Sequence, residues 1–250
     1  MESTVQNLLY RRPEFYELVY PEPDESTPRF CLGLFERHSP SASSILDIGC
    51  GTARDLSVLS RTCPECWGVD YLPEMIAYAK RVRPNLHLEV GDMRSVRLGR
   101  TFDAVLSLGS ALMYAIEEKD IEATLATFAA HCHVGSLLIL DMNNSVGYLP
   151  GGSFKETTEY SISTPEFSAH AVANFSFDRR RQLLIRNRTW TFQSGPPVED
   201  YCRFRMFFPA ELEQRLKAIG FRVVEMFDNK NFLPSDLTGR TLYVAAIFGA

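Results

Sequence analysis

The sequence predicts an α/β fold: a Rossmann-like, seven-stranded sheet with an antiparallel β insertion. Three observations lead there. From residue 44 to about residue 141, short β-branched or apolar runs alternate with helical patterns. That order produces right-handed βαβ crossovers and a parallel sheet covered on both faces. The first of these runs ends in a glycine turn, Gly49-Cys50-Gly51, which opens directly into a helical pattern. Residues 154–208 then switch to period-two alternation rich in Thr, Phe, Ser and Arg, which is a hairpin signature rather than a helical one.

Taken in order, residues 1–43 form an N-terminal helical cap of two short stretches around the Pro21–Pro28 break. Residues 44–250 form one α/β domain. Ser44–Ile48 is its first strand and Arg54–Ser60 the helix after the glycine turn. Trp67–Tyr71 is the second strand, and Pro73–Arg81 follows with proline in its first turn, where the missing amide has no intrahelical partner anyway. Leu86–Val90 and Phe102–Leu108 are strands, Glu117–Ala130 a helix and Leu137–Asp141 the fifth strand. The insertion at 154–208 holds three or more strands, with connections at Arg179–Arg181 and Gly195-Pro196-Pro197. A helix from Pro209 ends at Gly220 as a C-cap, and strands Phe221–Phe227 and Leu242–Phe248 close the chain.

Composition bounds the function. A chain of 250 residues, 45% hydrophobic and 23% charged, buries roughly three quarters of its unfolded surface and needs no disulfide or metal to hold a core. Its 26 basic and 31 acidic residues leave a net charge of −5, without the global basic field of a duplex-binding protein. The C-terminal apolar run Leu242–Phe248 is too short to span a bilayer. The N-terminus lacks a basic region followed by an apolar one, so no secretory signal is expected. The six cysteines are scattered, which favours a reducing, cytoplasmic setting.

The chemistry concentrates in Asp47-Ile48-Gly49-Cys50-Gly51-Thr52-Ala53-Arg54. Such a turn lets backbone approach a ligand closely and aims helix N-terminal amides at it. A dinucleotide fingerprint requires glycine where Arg54 stands, so a pyrophosphate cofactor is disfavoured. Asp47 to Thr52 instead resembles the first motif of the class I S-adenosylmethionine-dependent methyltransferases, with Ala53 in place of its last glycine. Three further segments follow at fitting distances: Asp70 with Tyr71, Leu72 and Met75; Asp92 and Met93 in Gly91-Asp92-Met93-Arg94; and Leu106–Tyr114, which includes Leu108. The resemblance implies S-adenosylmethionine as cofactor, without a metal. Asp47, Gly49 and Gly51 then shape its turn, Asp70 accepts from the ribose hydroxyls, and Tyr71, Leu72 and Met75 flank the adenine. Asp92 accepts from the adenine amino group and the Met93 backbone meets the ring edge, while Leu108 runs past the methyl group.

Nearly the whole chain is similar to the amino-sugar N,N-dimethyltransferases of antibiotic biosynthesis. Gly91–Val105, Thr238–Tyr243 and the paired Tyr16 and Tyr20 carry the likeness, and Tyr114 falls where those enzymes have histidine or tyrosine. Asp141-Met142-Asn143-Asn144 departs from their Glu-Pro-Trp-Trp-like pattern at the acceptor mouth. The implied reaction is N-methylation of a small-molecule amine. Tyr16, Tyr20 and Tyr114 are the catalytic candidates, since a phenol can orient an amine by hydrogen bonding. Asn143 and Arg240 are the substrate-binding candidates, the arginine suited to an acidic or phosphate-bearing acceptor. A small-molecule acceptor is expected as partner, with no nucleic acid and no membrane, and a homodimer as the candidate assembly. Two other readings stand beside this one: an O-methyltransferase of a secondary metabolite, and a cofactor-binding subunit that does not methylate.

Three other patterns read as structural. Cys63-Pro64-Glu65-Cys66 has metal spacing but no second pair at zinc-ribbon distance. His131-Cys132-His133 reads as cation placement at a helix C-terminus. The five arginines of Asp178–Arg188 read as the outer face of a hairpin.

Overall fold

A computed structural model describes residues 5–20, 25–39, 41–149, 152, 154–165 and 167–249. The central sheet is built from β2 (Ser44–Ile48), β3 (Glu65–Asp70), β4 (His87–Val90), β5 (Phe102–Ser107), β6 (Cys132–Asn143), β11 (Phe221–Phe227) and β12 (Thr241–Phe248). Their order is β11-β12-β6-β5-β2-β3-β4. The pairs among β2 to β6 are parallel, while β12 pairs antiparallel with both neighbours. All five residues of β2 are buried, as expected for a central strand covered on both faces.

Helices α4 (Arg54–Leu59), α5 (Pro73–Val82), α6 (Glu118–Ala130) and α7 (Pro209–Ala218) supply the crossovers. Their apolar faces meet the sheet in two core clusters. One is centred on Leu46, Val105, Phe128 and Leu138, the other on Ile45, Leu56, Leu106 and Ile139. Parallel register brings the carboxyl ends of β2, β3, β4, β5 and β6 to a single edge, the edge at which open α/β sheets bind ligands.

The insertion is β7 (Thr157–Thr164), β8 (Phe167–Asp178), β9 (Leu183–Phe192) and β10 (Val198–Arg205). These form an antiparallel sheet in the order β1-β10-β9-β8-β7. Its fifth strand, β1 (Val5–Gln6), comes from the N-terminus, and the sequence pattern did not reveal it. The N-terminal cap contains three helices rather than two: α1 (Leu8–Arg11), α2 (Pro13–Val19) and α3 (Ser26–His38). Pro28 lies inside the first turn of α3, where proline costs no intrahelical bond. Residues 21–24 of the expected break lie outside the described residues.

Two expectations are corrected here. His131 caps α6 but carries no charge. Its Nδ1 lies 2.8 Å from the Thr127 carbonyl and its Nε2 accepts from the Leu98 amide at 3.0 Å, while burial lowers its pKa. An acceptor Nε2 requires the neutral ring, so this histidine is a buried hydrogen-bonding spacer. The arginine run is also not one outer face. Arg181 sits in the exposed turn, but Arg188 is 3% exposed and points into the sheet's inner side.

Candidate functional site

The glycine turn between β2 and α4 is held by its neighbour strand. The Gly49 and Cys50 amides both donate to the Val69 carbonyl, at 2.7 and 3.0 Å. Gly49, Gly51 and Ala53 have φ of +88°, +57° and +60°. A Cβ on Gly49 would sit 2.6 Å from that of Ala111, whereas one on Gly51 would meet nothing within 4 Å. Glycine at 49 is therefore required by packing. At 51 it leaves open space along the ligand edge. Ala53 adopts the left-handed conformation with its methyl fully buried, a residue the resembling motif would make glycine.

Four carboxylates gather along this edge. Asp47, at the end of β2, is buried, and its Oδ1 has no hydrogen-bond partner among the described residues. Burial pushes its pKa well up, and the charges of Asp55, Asp70 and Asp141 add to the effect. Asp70 ends β3 and accepts from the Leu72 and Gly51 amides at 2.9 and 2.8 Å. Burial still raises its pKa against those two hydrogen bonds. Asp141 accepts from the Ser110 amide at 3.1 Å and is pushed up to about 6, mainly by burial. The Thr52 and Ser107 hydroxyls beside them are likewise buried and unpartnered. A negative basin with unsatisfied acceptors and an open glycine fits a ligand that brings positive charge and its own donors.

The remaining predicted cofactor positions fall around that basin. Met75 and Leu108 are buried, Met93 is half-buried, and Tyr71 is 56% exposed at the rim. Asp92 is engaged by Arg94, whose Nε lies 2.9 and 3.0 Å from its two oxygens. That pairing lowers its pKa.

On the acceptor side the structure brings three distant segments together. Tyr20, Tyr16, Tyr10 and Tyr114 form a chain of rings with centroid separations of 4.9, 6.0 and 6.0 Å. The Tyr114 hydroxyl donates to that of Tyr10 at 3.0 Å. Burial raises the Tyr16 and Tyr114 pKa values and pushes Tyr10 to about 12, so all three are neutral phenols at neutral pH. Yet Tyr10, Tyr16 and Tyr114 each keep accessible surface. Tyr114 stands on a one-turn helix (Ala111–Tyr114) directly after β5. Tyr16 lies close to Arg54 and Asp55 at the start of α4, so the row of tyrosines runs toward the cofactor edge. The sheet's inner face supplies Phe204, 5.1 Å from Tyr114, and Arg186, which contributes to the electrostatics of both Tyr10 and Tyr114.

Asn143 lies at this mouth, its amide donating to the Ser110 hydroxyl at 3.1 Å. Arg240 is exposed, and its carbonyl accepts from Asn144 at 2.9 Å. Tyr10 and Arg186 are the residues that sequence reasoning missed. Tyr10 precedes Tyr16 by six residues without a helical spacing. Arg186 alternates with Leu184, Arg188 and Trp190, a pattern whose mostly buried members signal an inner face.

Comparison with known proteins identifies the chain. A methyltransferase-domain family model matches residues 45–135. A dTDP-3-amino-3,4,6-trideoxy-alpha-D-glucopyranose N,N-dimethyltransferase of Streptomyces venezuelae is 33% identical over 219 residues, covering 84% of this chain and 86% of that enzyme. The chain belongs to the sugar N,N-dimethyltransferase family. This methyltransferase is also 28% identical over 243 residues to a dTDP-3-amino-3,6-dideoxy-alpha-D-glucopyranose N,N-dimethyltransferase of Streptomyces fradiae, covering 92% of this chain and 88% of that one. Its fold matches a solved amino pentose methyltransferase of Micromonospora echinaspora with bound S-adenosylmethionine. The TM-score there is 0.77 at 23% identity, over 93% of this chain and 96% of that one. The chain is thus an S-adenosylmethionine-dependent methyltransferase. Among the described residues no His, Cys, Asp or Glu group is arranged to hold a metal, and no helix is long and apolar enough to cross a membrane.

Proposed function

We propose that this enzyme transfers methyl groups from S-adenosylmethionine to the amine of a nucleotide-linked amino sugar, twice, giving an N,N-dimethylamino sugar. The observation that supports the reading is the row of tyrosine rings, tied by the Tyr114–Tyr10 hydrogen bond and running toward the carboxylate-rich strand edge, in a chain whose relatives are amino-sugar N,N-dimethyltransferases. The cofactor supplies an activated methyl on a sulfonium. This chain's residues do the rest. Asp70 accepts from the ribose hydroxyls and Gly51 leaves room for backbone approach. Asp47 and its neighbouring carboxylates favour the cationic end of the ligand.

On the other side, Tyr16, Tyr20, Tyr114 and Tyr10 hold the neutral amine with its lone pair toward the methyl carbon. In-line displacement gains most from this orientation. A neutral amine needs no strong base to attack, and the raised phenol pKa values suit donors and acceptors that stay uncharged. Each transfer would leave S-adenosylhomocysteine and an alkylammonium, and the first ammonium must release a proton to solvent before its lone pair can take the second methyl group. Asp92, although paired with Arg94, keeps lone pairs for the adenine amino group.

The test is incubation with S-adenosylmethionine and dTDP-3-amino-3,6-dideoxy-alpha-D-glucopyranose or its 3,4,6-trideoxy analogue, with products read by mass spectrometry. One and then two methyl additions on nitrogen are expected. Cofactor binding without transfer to any such amine would overturn the reading.

A further inference from the structure

The inner face of the insertion sheet buries more positive than negative charge. Arg188 and Arg186 stand two residues apart on β9, facing Asp200 and Cys202 on β10. Asp200 is 1% exposed and is committed to Arg188: Nε lies 3.1 and 3.0 Å from its two oxygens, and Nη2 lies 2.5 Å from Oδ2. The same oxygens also accept from the Trp190 indole at 2.9 Å and the Leu8 amide at 3.2 Å. Arg186 reaches this carboxylate only at 3.6 Å. Its other contacts are the Cys202 thiol at 3.2 Å and the face of Phe204. Among the described residues no second carboxylate lies within ion-pair distance of either arginine.

Two cations therefore share one anion in a desolvated place, where uncompensated charge is costly. The Arg186 side chain is 14% exposed, and its Nε is buried without a partner. Its guanidinium lies 5.6 Å from the Phe204 ring, which stands 5.1 Å from that of Tyr114, so it sits beside the row of tyrosines on the inner face of the sheet.

We infer that Arg186 receives a phosphoryl group of the acceptor. An anion there neutralises the excess charge, supplies an acceptor for the orphaned Nε, and meets a planar fork suited to two phosphoryl oxygens. Arg240, the arginine the sequence offered for this task, is exposed. The inference rests on the proposed acceptor class, and it names the residue that distinguishes a nucleotide-linked amine from a free one.

Calorimetry with thymidine diphosphate and, separately, S-adenosylhomocysteine tests it on the wild type, Arg186→Gln and Arg186→Lys. Losing a charged hydrogen bond should weaken thymidine diphosphate roughly tenfold to a hundredfold in Arg186→Gln. Arg186→Lys should fall between, as a point charge without the fork. S-adenosylhomocysteine affinity should stay within about twofold in both, well short of a lost charged contact. Unchanged thymidine diphosphate binding overturns the inference. So does an equal loss of S-adenosylhomocysteine, which would assign the guanidinium to the methionyl carboxylate. If Arg186→Gln does not fold, the wild type decides. Thymidine diphosphate must bind about tenfold or more tighter than thymidine, with an affinity that falls as salt rises, and equal affinities overturn the inference. Arg186-dependent binding of thymidine diphosphate without any amine methylation would refute the proposed reaction and leave this anion site standing.

Discussion

Replacing Asp200 by asparagine should be among the most destabilising conservative changes in the chain. Its carboxylate, 1% exposed, accepts from the Arg188 guanidinium, the Trp190 indole and the Leu8 amide and lies beside Arg186. Asparagine keeps the shape but removes the charge, so two buried guanidinium groups lose their shared counter-ion. Removing one partner of a buried pair costs about 3–5 kcal/mol. For a chain of this size that corresponds to a melting-temperature drop of roughly 10 °C. Arg188→Met should cost less, because Asp200 then still faces Arg186 at 3.6 Å. The assay is urea unfolding of wild type and both variants, with hydrogen exchange at the N-terminus as a second probe. Arg188 Nη2 also donates to the Asn7 side chain, which in turn accepts from the Leu9 amide. Loss of the carboxylate should therefore speed exchange across α1 before the central sheet is affected. A cost below about 1 kcal/mol for Asp200→Asn, in the range of a solvent-screened surface pair, would refute the charge argument. Arg188→Met proving the more damaging change would refute it equally.

Gly51→Ala should cost the fold only about 1 kcal/mol, since the methyl meets nothing within 4 Å and φ is +57°. Its calorimetric affinity for S-adenosylmethionine should nevertheless collapse, because that space belongs to the cofactor. Asp70→Ala should likewise abolish cofactor binding, at a cost of about 1–3 kcal/mol in stability from the Leu72 and Gly51 amides that lose their acceptor, and undiminished affinity would count against the ribose role. Asp141 titrates near 6 in the fold instead of at 3.8, so the fold holds the extra proton. The corresponding stability is present below about 3.8 and is lost as pH rises through about 6, up to about 3 kcal/mol. Thermal scans across that range should show the ligand-free wild type losing stability relative to Asp141→Asn as pH rises, and a difference between the two that does not change with pH would refute the shift. Tyr114→Phe removes the donor to Tyr10 and should lower kcat about tenfold with little change in cofactor affinity. An unchanged kcat would leave Tyr114 as packing alone.

The fold of the proposed cofactor edge was legible because its requirements are local. A strand end, two glycines and a helix start lie within a dozen residues, and it is the resemblance of that segment to a methyltransferase motif that singles out Asp47, Gly49 and Gly51. Parallel register then carries Asp70, Asp92 and Leu108 to the same edge, so strand order suffices. The helix and strand periodicities likewise placed the seven central strands, with β6 longer than expected because Cys132 pairs with Phe102 of β5 at one end and Met142 and Asn143 pair with Leu242 and Thr241 of β12 at the other. The acceptor half has no such local grammar. Tyr10 and Tyr114 are 104 residues apart, and the pair Arg188–Asp200 is visible only once β9 and β10 are registered. The arginine run was misread for the same reason. Period two says that alternate residues share a face, not which face is buried, and Trp190 was the one large residue that could have decided it.

The N-terminal segment explains why the two halves work as one site. Asn7 and Leu8 bind it to the insertion sheet through Arg188 and Asp200. Ten residues later Glu17 lies 3.6 Å from Arg54 and 3.2 Å from Arg83, while Arg83 also donates to the Thr52 carbonyl of the glycine turn at 3.0 Å. One short stretch, α1 and α2, is thus pinned at one end to the sheet that carries Arg186 and at the other to the loop that takes the cofactor. Tyr10 and Tyr16 lie between those anchors. A shift of either anchor must move Tyr10 and Tyr16 relative to the methyl group, because α1 and α2 are too short to absorb it by bending. Since displacement depends on collinear alignment, binding at the cofactor loop and at the insertion sheet sets the same small group of phenols.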